Sequence, residues 1–276
     1  MHGLLERREE KEGERRINRA GLFILLASLV AFPLWAEEES GEKKNEKKYY
    51  SSTSFSLVLT RGNNKALSFS FDTEQYLRLA KNVLNFKGSI IHSSSDDQKT
   101  TEIYYSHVKY DRKISSRAYL LGLVRAERNK LAGYNFRLAL SIGAGYTWIQ
   151  GKKIEVFSEG SLGWSNENSS EKIVPLGTND VPITERTFST SFLSSIFTGK
   201  LVYNISSTTQ FLHQETLFLN LKDMSAYRLN SYSSISASIS RNFALKTSLQ
   251  IIYEHKPVLG HENMDFFFLS SIVIKF

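Results

Sequence analysis

Long stretches of alternating apolar and polar residues are the feature that most constrains this chain. The clearest covers residues 136–148, in which every second residue, from Phe136 to Trp148, is apolar or aromatic and those between are mostly polar or small. Successive side chains of a β-strand point to opposite faces, so the pattern predicts a strand with one apolar face. Its 13 residues exceed the usual length of about five or six in globular proteins and match a membrane-spanning strand.

Similar alternation recurs to the end of the chain and predicts twelve strands: 53–60, 65–77, 82–92, 100–112, 117–127, 133–148, 153–166, 186–204, 208–221, 226–240, 243–256 and 264–276. The odd-numbered connections are the longer ones, Glu167–Glu185 is the longest, and Pro175, Pro182 and Pro257 all fall in them. Bacterial outer-membrane barrels have short periplasmic turns and longer external loops. The predicted fold class is therefore all-β, a transmembrane antiparallel up-and-down β-barrel of about twelve strands. A soluble exported β-protein is the alternative, but its strands would be shorter.

The segment before the first strand has the order of an export signal. Arg15, Arg16 and Arg19 lie just before the apolar run 21–32, Pro33 ends this run, and Ala36 offers a cleavage site. Residues 1–36 are therefore predicted to be a cleaved signal peptide, 37–52 a charged periplasmic linker and 53–276 the barrel. The predicted location is the cell outer membrane, with outer-membrane lipid as a partner.

Composition excludes several other classes of function. The chain has no cysteine, so disulfide frameworks, cysteine-based zinc sites and cysteine nucleophiles are excluded. The net charge of +7 is scattered rather than clustered among aromatic residues, which argues against a nucleic-acid partner. No residue pattern indicates a metal site or another cofactor, so none is expected.

Two short motifs resemble a known family. The turn Thr60-Arg61-Gly62-Asn63-Asn64 opens at a strand end, and Arg137 is followed by the run Ile142-Gly143-Ala144-Gly145-Tyr146. Both are similar to segments of the salt-induced outer-membrane protein family, and the similarity covers about residue 50 to Phe276. The resemblance implies an outer-membrane β-barrel with no established reaction and no catalytic residues to carry over. The acidic residue expected directly after Gly62-Asn63 is absent here.

The last strand ends in an aromatic residue, as in barrels inserted by the barrel-assembly machinery, which recognises a terminal strand by edge pairing. One apolar face of this strand carries the candidate assembly signal: Phe268, Ile272, Ile274 and Phe276. We expect deletion of Phe276, or its replacement by Asp, to impair insertion while export continues.

The face opposite the apolar one should line the lumen and carries charges of both signs. The candidate lumen charges are Arg137, Glu155, Glu159, Arg228, Lys246 and Glu254. Opposite charges on neighbouring strands can pair, which predicts a plugged or narrow interior with weak ion selectivity. Replacing Arg137 and Arg228 by Ser should leave nearby carboxylates without a partner, among them Glu155 or Glu159.

A catalytic role is weighed because one twelve-stranded barrel family is a phospholipase with Ser and His on its wall. His213 and Glu215 share a strand face, but no sequence motif marks a nucleophile beside them. His255 and His261 flank a proline-containing loop, a poor place to order a base. The expected function is a structural or narrow passive-permeation barrel that is not an enzyme, with a lipid-modifying barrel as the alternative.

Overall fold

The computed structural model describes residues 49–60, 66–95, 98–130, 132–173, 184–259 and 261–276. These residues form twelve strands, which we number in chain order: β1 (Tyr49–Thr60), β2 (Ala66–Leu79), β3 (Asn82–Ser95), β4 (Gln98–Lys113), β5 (Ala118–Asn129), β6 (Tyr134–Gln150), β7 (Ile154–Ile173), β8 (Thr184–Asn204), β9 (Thr209–Asn220), β10 (Tyr227–Ser238), β11 (Phe243–Glu254) and β12 (Met264–Lys275).

Each strand pairs antiparallel with its neighbours in the chain, and β1 pairs with β12, which closes the sheet into a barrel. At this seam Thr53 lies opposite Ile274 and Phe55 opposite Ile272. The seam is paired from Ser51 to Phe55 on β1, against Ile272 to Phe276 at the end of the chain. Pairing of the two edge strands satisfies backbone groups that lipid would leave without partners. The predicted fold class, an all-β antiparallel up-and-down barrel of twelve strands, is confirmed.

The outward face of the barrel is apolar. Ile142 on β6 is 77 % exposed and Phe268 on β12 is 73 % exposed, which would be costly in water and suits lipid. Aromatic side chains lie near both ends of this face, with Tyr146 against Trp148 at one end and Tyr227 against Tyr253 at the other. Such pairs match the girdles that mark the two membrane interfaces. In the described part of the chain, no helix is both long and apolar enough to cross a membrane.

The two ends of the barrel differ in their connections. The turn end carries Tyr49, Phe276 and the links after β2, β4, β6, β8 and β10, which are two to four residues long. The opposite end, called the loop end, carries the other six links. The link between β7 and β8, residues 174–183, is the longest at ten residues, as predicted, but the link between β3 and β4 has only two.

The predicted loop Glu167–Glu185 is wrong at both of its boundaries. β7 continues to Ile173 and β8 begins at Thr184, with Ile173 paired to Thr184. The β7–β8 hairpin therefore extends beyond the neighbouring strands. Its outward residues there are polar and form hydrogen bonds across the two strands, as Asn166 does with Ser189 and Ser191. Near the start of the chain, β1 begins at Tyr49, so the predicted linker ends before Tyr49 rather than at residue 52.

Several sequence predictions fall outside the described residues. They are the signal peptide 1–36, most of the linker, the Gly-Asn turn at 61–64 and the surface loop around Thr178–Asn179. The predicted assembly signal is described: Phe268, Ile272 and Ile274 lie on the outward face of β12. Phe276 exchanges backbone hydrogen bonds with Ser51 at the seam. Its recognition by the assembly machinery stays a prediction.

Candidate functional site

Charged side chains from opposite walls meet inside the barrel towards its loop end. Arg228 of β10 holds Glu167 of β7 with two parallel hydrogen bonds, 2.5 Å from Nη1 to Oε1 and 2.8 Å from Nη2 to Oε2. Arg137 of β6 places Nε 2.9 Å from the same Oε1, at an angle that makes the contact an ion pair rather than a hydrogen bond. Because β8 and β9 separate β7 from β10 in the ring, the Arg228–Glu167 pair joins two walls a quarter of the ring apart.

Glu254 at the end of β11 adds a second link between the walls. Its Oε2 accepts a hydrogen bond of 2.5 Å from the Tyr134 hydroxyl of β6 and lies 3.4 Å from Arg228 Nε. The Tyr134 hydroxyl in turn accepts a 2.8 Å hydrogen bond from Arg228 Nη2. Both arginines also lie against the Tyr134 ring, Arg137 at 3.9 Å and Arg228 at 4.6 Å from its centroid. The tyrosine therefore ties the two arginines to one carboxylate.

A third carboxylate completes the group. Glu127 of β5 lies 3.4 Å from Arg137 Nη1 and 3.0 Å from Arg125 Nη2. We call the whole set the roof cluster: Arg125, Glu127, Tyr134, Arg137, Glu167, Arg228 and Glu254. Its three arginines and three glutamates give no net formal charge, and buried charges that are paired and hydrogen-bonded in this way hold a structure in one arrangement.

Little open space remains around the roof cluster. The gap between its side chains and Phe218 measures about 30 Å³, enough for about one water molecule. Phe218 packs edge-to-face on Phe192 at 6.1 Å, and both are buried together with Ile196. Above the cluster, Gly133 adopts a φ of +81° and touches the link between β11 and β12. Among the described residues, the side chains around the roof cluster therefore leave little open space in this part of the lumen.

Between the roof cluster and the turn end lies a cavity of about 260 Å³, which we call the vestibule. Its walls carry four lysines: Lys87, Lys200, Lys246 and Lys275. Lys246 donates a 2.8 Å hydrogen bond to Ser54 and Lys275 a 3.2 Å hydrogen bond to Ser238. The ion pairs of lysines between described residues involve Lys109, Lys130 and Lys256 instead.

The two acidic side chains of the vestibule are held by hydroxyl groups. Asp72 accepts hydrogen bonds from Ser89 at 2.7 Å and Ser54 at 3.4 Å, and Glu74 accepts one from Tyr76 at 2.6 Å. Between described residues, these carboxylates form no direct ion pair with the vestibule lysines, although Lys87 lies across from Glu74 in the β2–β3 register and Ser54 links Lys246 to Asp72.

Of the predicted lumen charges, the structure brings Arg137, Arg228 and Glu254 together in the roof cluster and places Lys246 in the vestibule. Glu159 belongs to neither, because it pairs with Lys109 and accepts a 2.7 Å hydrogen bond from Tyr119. Glu155 is exposed near the turn end, at the second residue of β7. The expectation that Glu155 or Glu159 neighbours the two arginines is therefore corrected: the neighbours are Glu127, Glu167 and Glu254.

Strand parity also places Arg125 and Glu127 on the inward face of the predicted strand 117–127, but sequence reasoning missed Glu167 and Tyr134, for different reasons. Glu167 has the same strand parity as Glu159, so extending the seventh strand by one residue would have placed it in the lumen. Tyr134 has the parity of the outward Phe136, but the pairing register shifts between these two residues. This β-bulge turns Tyr134 inward, and no residue type in the sequence marks its position.

The outward wall holds a second polar group, on β9 and β10. His213 Nδ1 lies 2.8 Å from Ser233 Oγ, and its Nε2 lies 3.2 Å from Glu215 Oε1. Ser231 donates a 2.5 Å hydrogen bond to the same carboxylate oxygen. A serine, a histidine and a carboxylate linked by consecutive contacts are the components of a hydrolytic triad. In the part of the chain that is described, no three acidic or histidine side chains converge as metal ligands would.

Many solved structures are similar to this chain, among them a porin, an outer membrane channel and a translocator domain. The NanC porin is 10 % identical, with 82 % of this chain and 97 % of that chain covered and a TM-score of 0.44. An outer membrane channel from Pseudomonas putida F1 is 10 % identical, with 85 % and 100 % covered and a TM-score of 0.47. The translocator domain of the autotransporter NalP from Neisseria meningitidis is 9 % identical, with 94 % and 97 % covered and a TM-score of 0.42. No curated protein matches the chain.

A sequence family matches residues 53–276, which is nearly the whole barrel, from the fifth residue of β1 to the end of the chain. Its description names no reaction, ligand or partner. The chain belongs to this family, DUF481, whose members are proteins of unknown function.

Proposed function

We propose that this protein is a bacterial outer-membrane barrel with a structural or narrow passive-permeation role, and that the roof cluster limits what passes. The observation that carries the proposal is the bridge of Arg228, Tyr134 and Glu254 across the lumen. Because the side chains around this bridge leave a gap of only about 30 Å³, we expect the wild-type conductance to be small. The short turns and both termini of the barrel then face the periplasm, and the vestibule opens to that side.

The membrane assignment is tested by comparing the full chain with a variant that lacks Phe276. The full chain should sediment with outer membranes and shift in gel mobility on boiling, because a closed barrel resists detergent until it is heated. The deletion should reduce the membrane-inserted amount without stopping export, since Phe276 completes the seam with Ser51. Equal insertion of both proteins would contradict recognition of the terminal strand.

Orientation is tested with an epitope inserted between Thr178 and Asn179. It should be reachable on intact cells if the loop end faces outward. An epitope in the turn between β6 and β7, residues 151–153, serves as the control and should be reached only after the outer membrane is opened. The reverse pattern would invert the proposed orientation.

A second candidate function, hydrolysis of lipid esters, is favoured by the Ser233–His213–Glu215 group. Two features oppose it. His213 and Glu215 are the fifth and seventh of twelve residues in β9, near mid-height, while lipid esters lie about 15 Å away at the edge of the hydrocarbon core. The surrounding backbone amides belong to the β8–β9 and β9–β10 ladders, which leaves no evident donor pair for an oxyanion.

The protein in mixed detergent–phospholipid micelles should therefore release no fatty acid above the level of its Ser233→Ala variant. Release by the wild type that is lost in both Ser233→Ala and His213→Ala would establish the enzyme instead.

A further inference from the structure

We propose that the vestibule is a binding site for a small, hydroxyl-bearing organic anion that enters from the turn end. The charge of its walls is the first reason. The ionisable residues that line it are five bases and three acids, so the net formal charge is +2. Arg125 and Glu127 neutralise each other at 3.0 Å in the roof cluster. Four lysines therefore face two carboxylates across an enclosed space, where low-dielectric walls strengthen the attraction for an anion.

The second reason is that the vestibule carboxylates already accept hydrogen bonds from neighbouring hydroxyl groups. Asp72 is held by two serine hydroxyls and Glu74 by the Tyr76 hydroxyl. Neither has a lysine Nζ within ion-pair distance among the described residues. The positive charges are thus not cancelled by direct contact, as the arginines of the roof cluster are.

The third reason is the donor capacity of the lysines. An ammonium group has three N–H donors. Lys246 uses one on Ser54 and Lys275 one on Ser238, which leaves two on each ammonium group. Lys87 lies 5.8 Å from the Tyr232 ring centroid, and Lys200 lies 5.6 Å from that of Phe157. The ammonium groups of these lysines therefore keep N–H donors for a carboxylate or a phosphate of a ligand.

The size and the remaining lining define the class of ligand. A cavity of about 260 Å³ lies just below the range of about 300–1,000 Å³ typical of small-molecule sites, so the occupant is small. Uncharged polar side chains fill the space between the lysines, which suits hydroxyl groups: Gln210, Gln214, Asn230, Ser234, Ser236 and Gln250. Lysine is a point charge without the bidentate geometry of arginine, so binding should be reversible and should tolerate different anions.

This inference rests on the proposed function only for access from the turn end. It is tested by isothermal titration of the full barrel, refolded in neutral detergent, with sodium gluconate as the probe. Glucose is the uncharged comparison of similar size. Gluconate should bind, glucose should bind at least about tenfold more weakly, and added NaCl should weaken gluconate binding.

The variant that tests the site is Lys246→Gln with Lys275→Gln, and the matched control is Lys81→Gln with Lys113→Gln. The control lysines are exposed at the same end of the barrel, outside the vestibule, so they remove the same charge from the surface. The vestibule variant should lose at least about tenfold in gluconate affinity, while the control should keep it. If the double variant does not refold, Lys275→Gln alone should show a smaller loss in the same direction.

Equal binding of gluconate and glucose, no gluconate binding, or equal loss in both variants would overturn the site. The outcome is separate from the proposed function. A barrel that conducts little but binds no gluconate would refute the vestibule site and leave the proposed function standing. A barrel that binds gluconate but has a large conductance would refute the proposed closure by the roof cluster and leave the vestibule site standing.

Discussion

The roof cluster and the vestibule occupy the same lumen and use charges in opposite ways. In the roof cluster, arginines meet glutamates at 2.5 to 3.8 Å, and Tyr134 joins them through its hydroxyl and its ring. In the vestibule, lysines contact hydroxyls and lie over ring faces, and the carboxylates also accept hydrogen bonds from hydroxyls, with Ser54 shared by Lys246 and Asp72. The planar guanidinium forms several fixed bonds, whereas the ammonium remains a mobile point charge. The contrast separates a region that fills space from one that can hold a ligand.

The largest expected difference between the two regions is in stability. Replacing Arg137 and Arg228 by Ser leaves Glu127, Glu167 and Glu254 buried with one arginine among them, which should lower the free energy of unfolding by about 3–5 kcal/mol. The matched variant Lys246→Ser with Lys275→Ser removes the same charge from the vestibule and should cost within about 1 kcal/mol. Urea unfolding in lipid vesicles measures both. Equal losses would erase the distinction between the regions.

A smaller difference is expected for the hydroxyl groups. Tyr134→Phe removes a donor to Glu254 and an acceptor for Arg228, so it should lower the free energy of unfolding by about 1–3 kcal/mol. Tyr232→Phe is the control, since Tyr232 lines the vestibule and Lys87 lies only over its ring. The same urea experiment should show little change for this control. An unchanged free energy of unfolding in Tyr134→Phe would mean that ion pairs alone hold the roof cluster together.

The links above the roof cluster should matter less. Gly133→Ala places a Cβ about 2.8 Å from Val258 Cβ at a φ of +81°, so the two links must separate or strain. We expect a loss of about 1 kcal/mol, together with faster backbone hydrogen exchange in residues 255–259. Gly122→Ala, whose new Cβ meets nothing within 4 Å, is the matched control and should change neither.

The exposed ion pair outside the membrane should have the smallest effect. Lys256 and Ser225 donate hydrogen bonds to Asp223 and lower the pKa of its carboxyl to about 2. The contribution to stability is therefore present above pH about 4, the ordinary Asp value, and is lost as the pH falls through about 2. Because both side chains are exposed, acid titration of Asp223→Asn should follow the wild-type curve closely. A clear divergence below pH 4 would show that this pair contributes more to stability than its exposure predicts.

The sequence predicts the barrel well because its strands obey one rule over long distances. Period-two alternation identifies the face of each residue, and short polar turns such as Lys113–Ser116 interrupt it. Most strand ends therefore fall within three residues of the predicted ones. β7 is the clearest exception, since its seven extra residues rise above the apolar band, where both faces are polar and the alternation disappears.

The roof cluster could be predicted only in part. Parity places Arg137, Arg228 and Glu254 inside the barrel, but it says nothing about partners across the lumen. Those depend on which walls approach one another, and the Arg228–Glu167 pair joins strands three positions apart in the ring. The inward turn of Tyr134 depends on a bulge. Lys200 was missed because Phe192 and Ile196 make the inward face of β8 apolar as well, so alternation does not indicate which face of this strand is the lumen face.

The most direct test of the closed roof is single-channel recording in planar bilayers with the wild type, the Arg137→Ser and Arg228→Ser double variant, and the Lys246→Ser and Lys275→Ser control. We expect small conductance for the wild type and the control. The roof variant should conduct several times more and prefer cations, because Glu127, Glu167 and Glu254 then line the narrowest point. A large wild-type conductance that the roof variant leaves unchanged, in size and in reversal potential, would contradict the account.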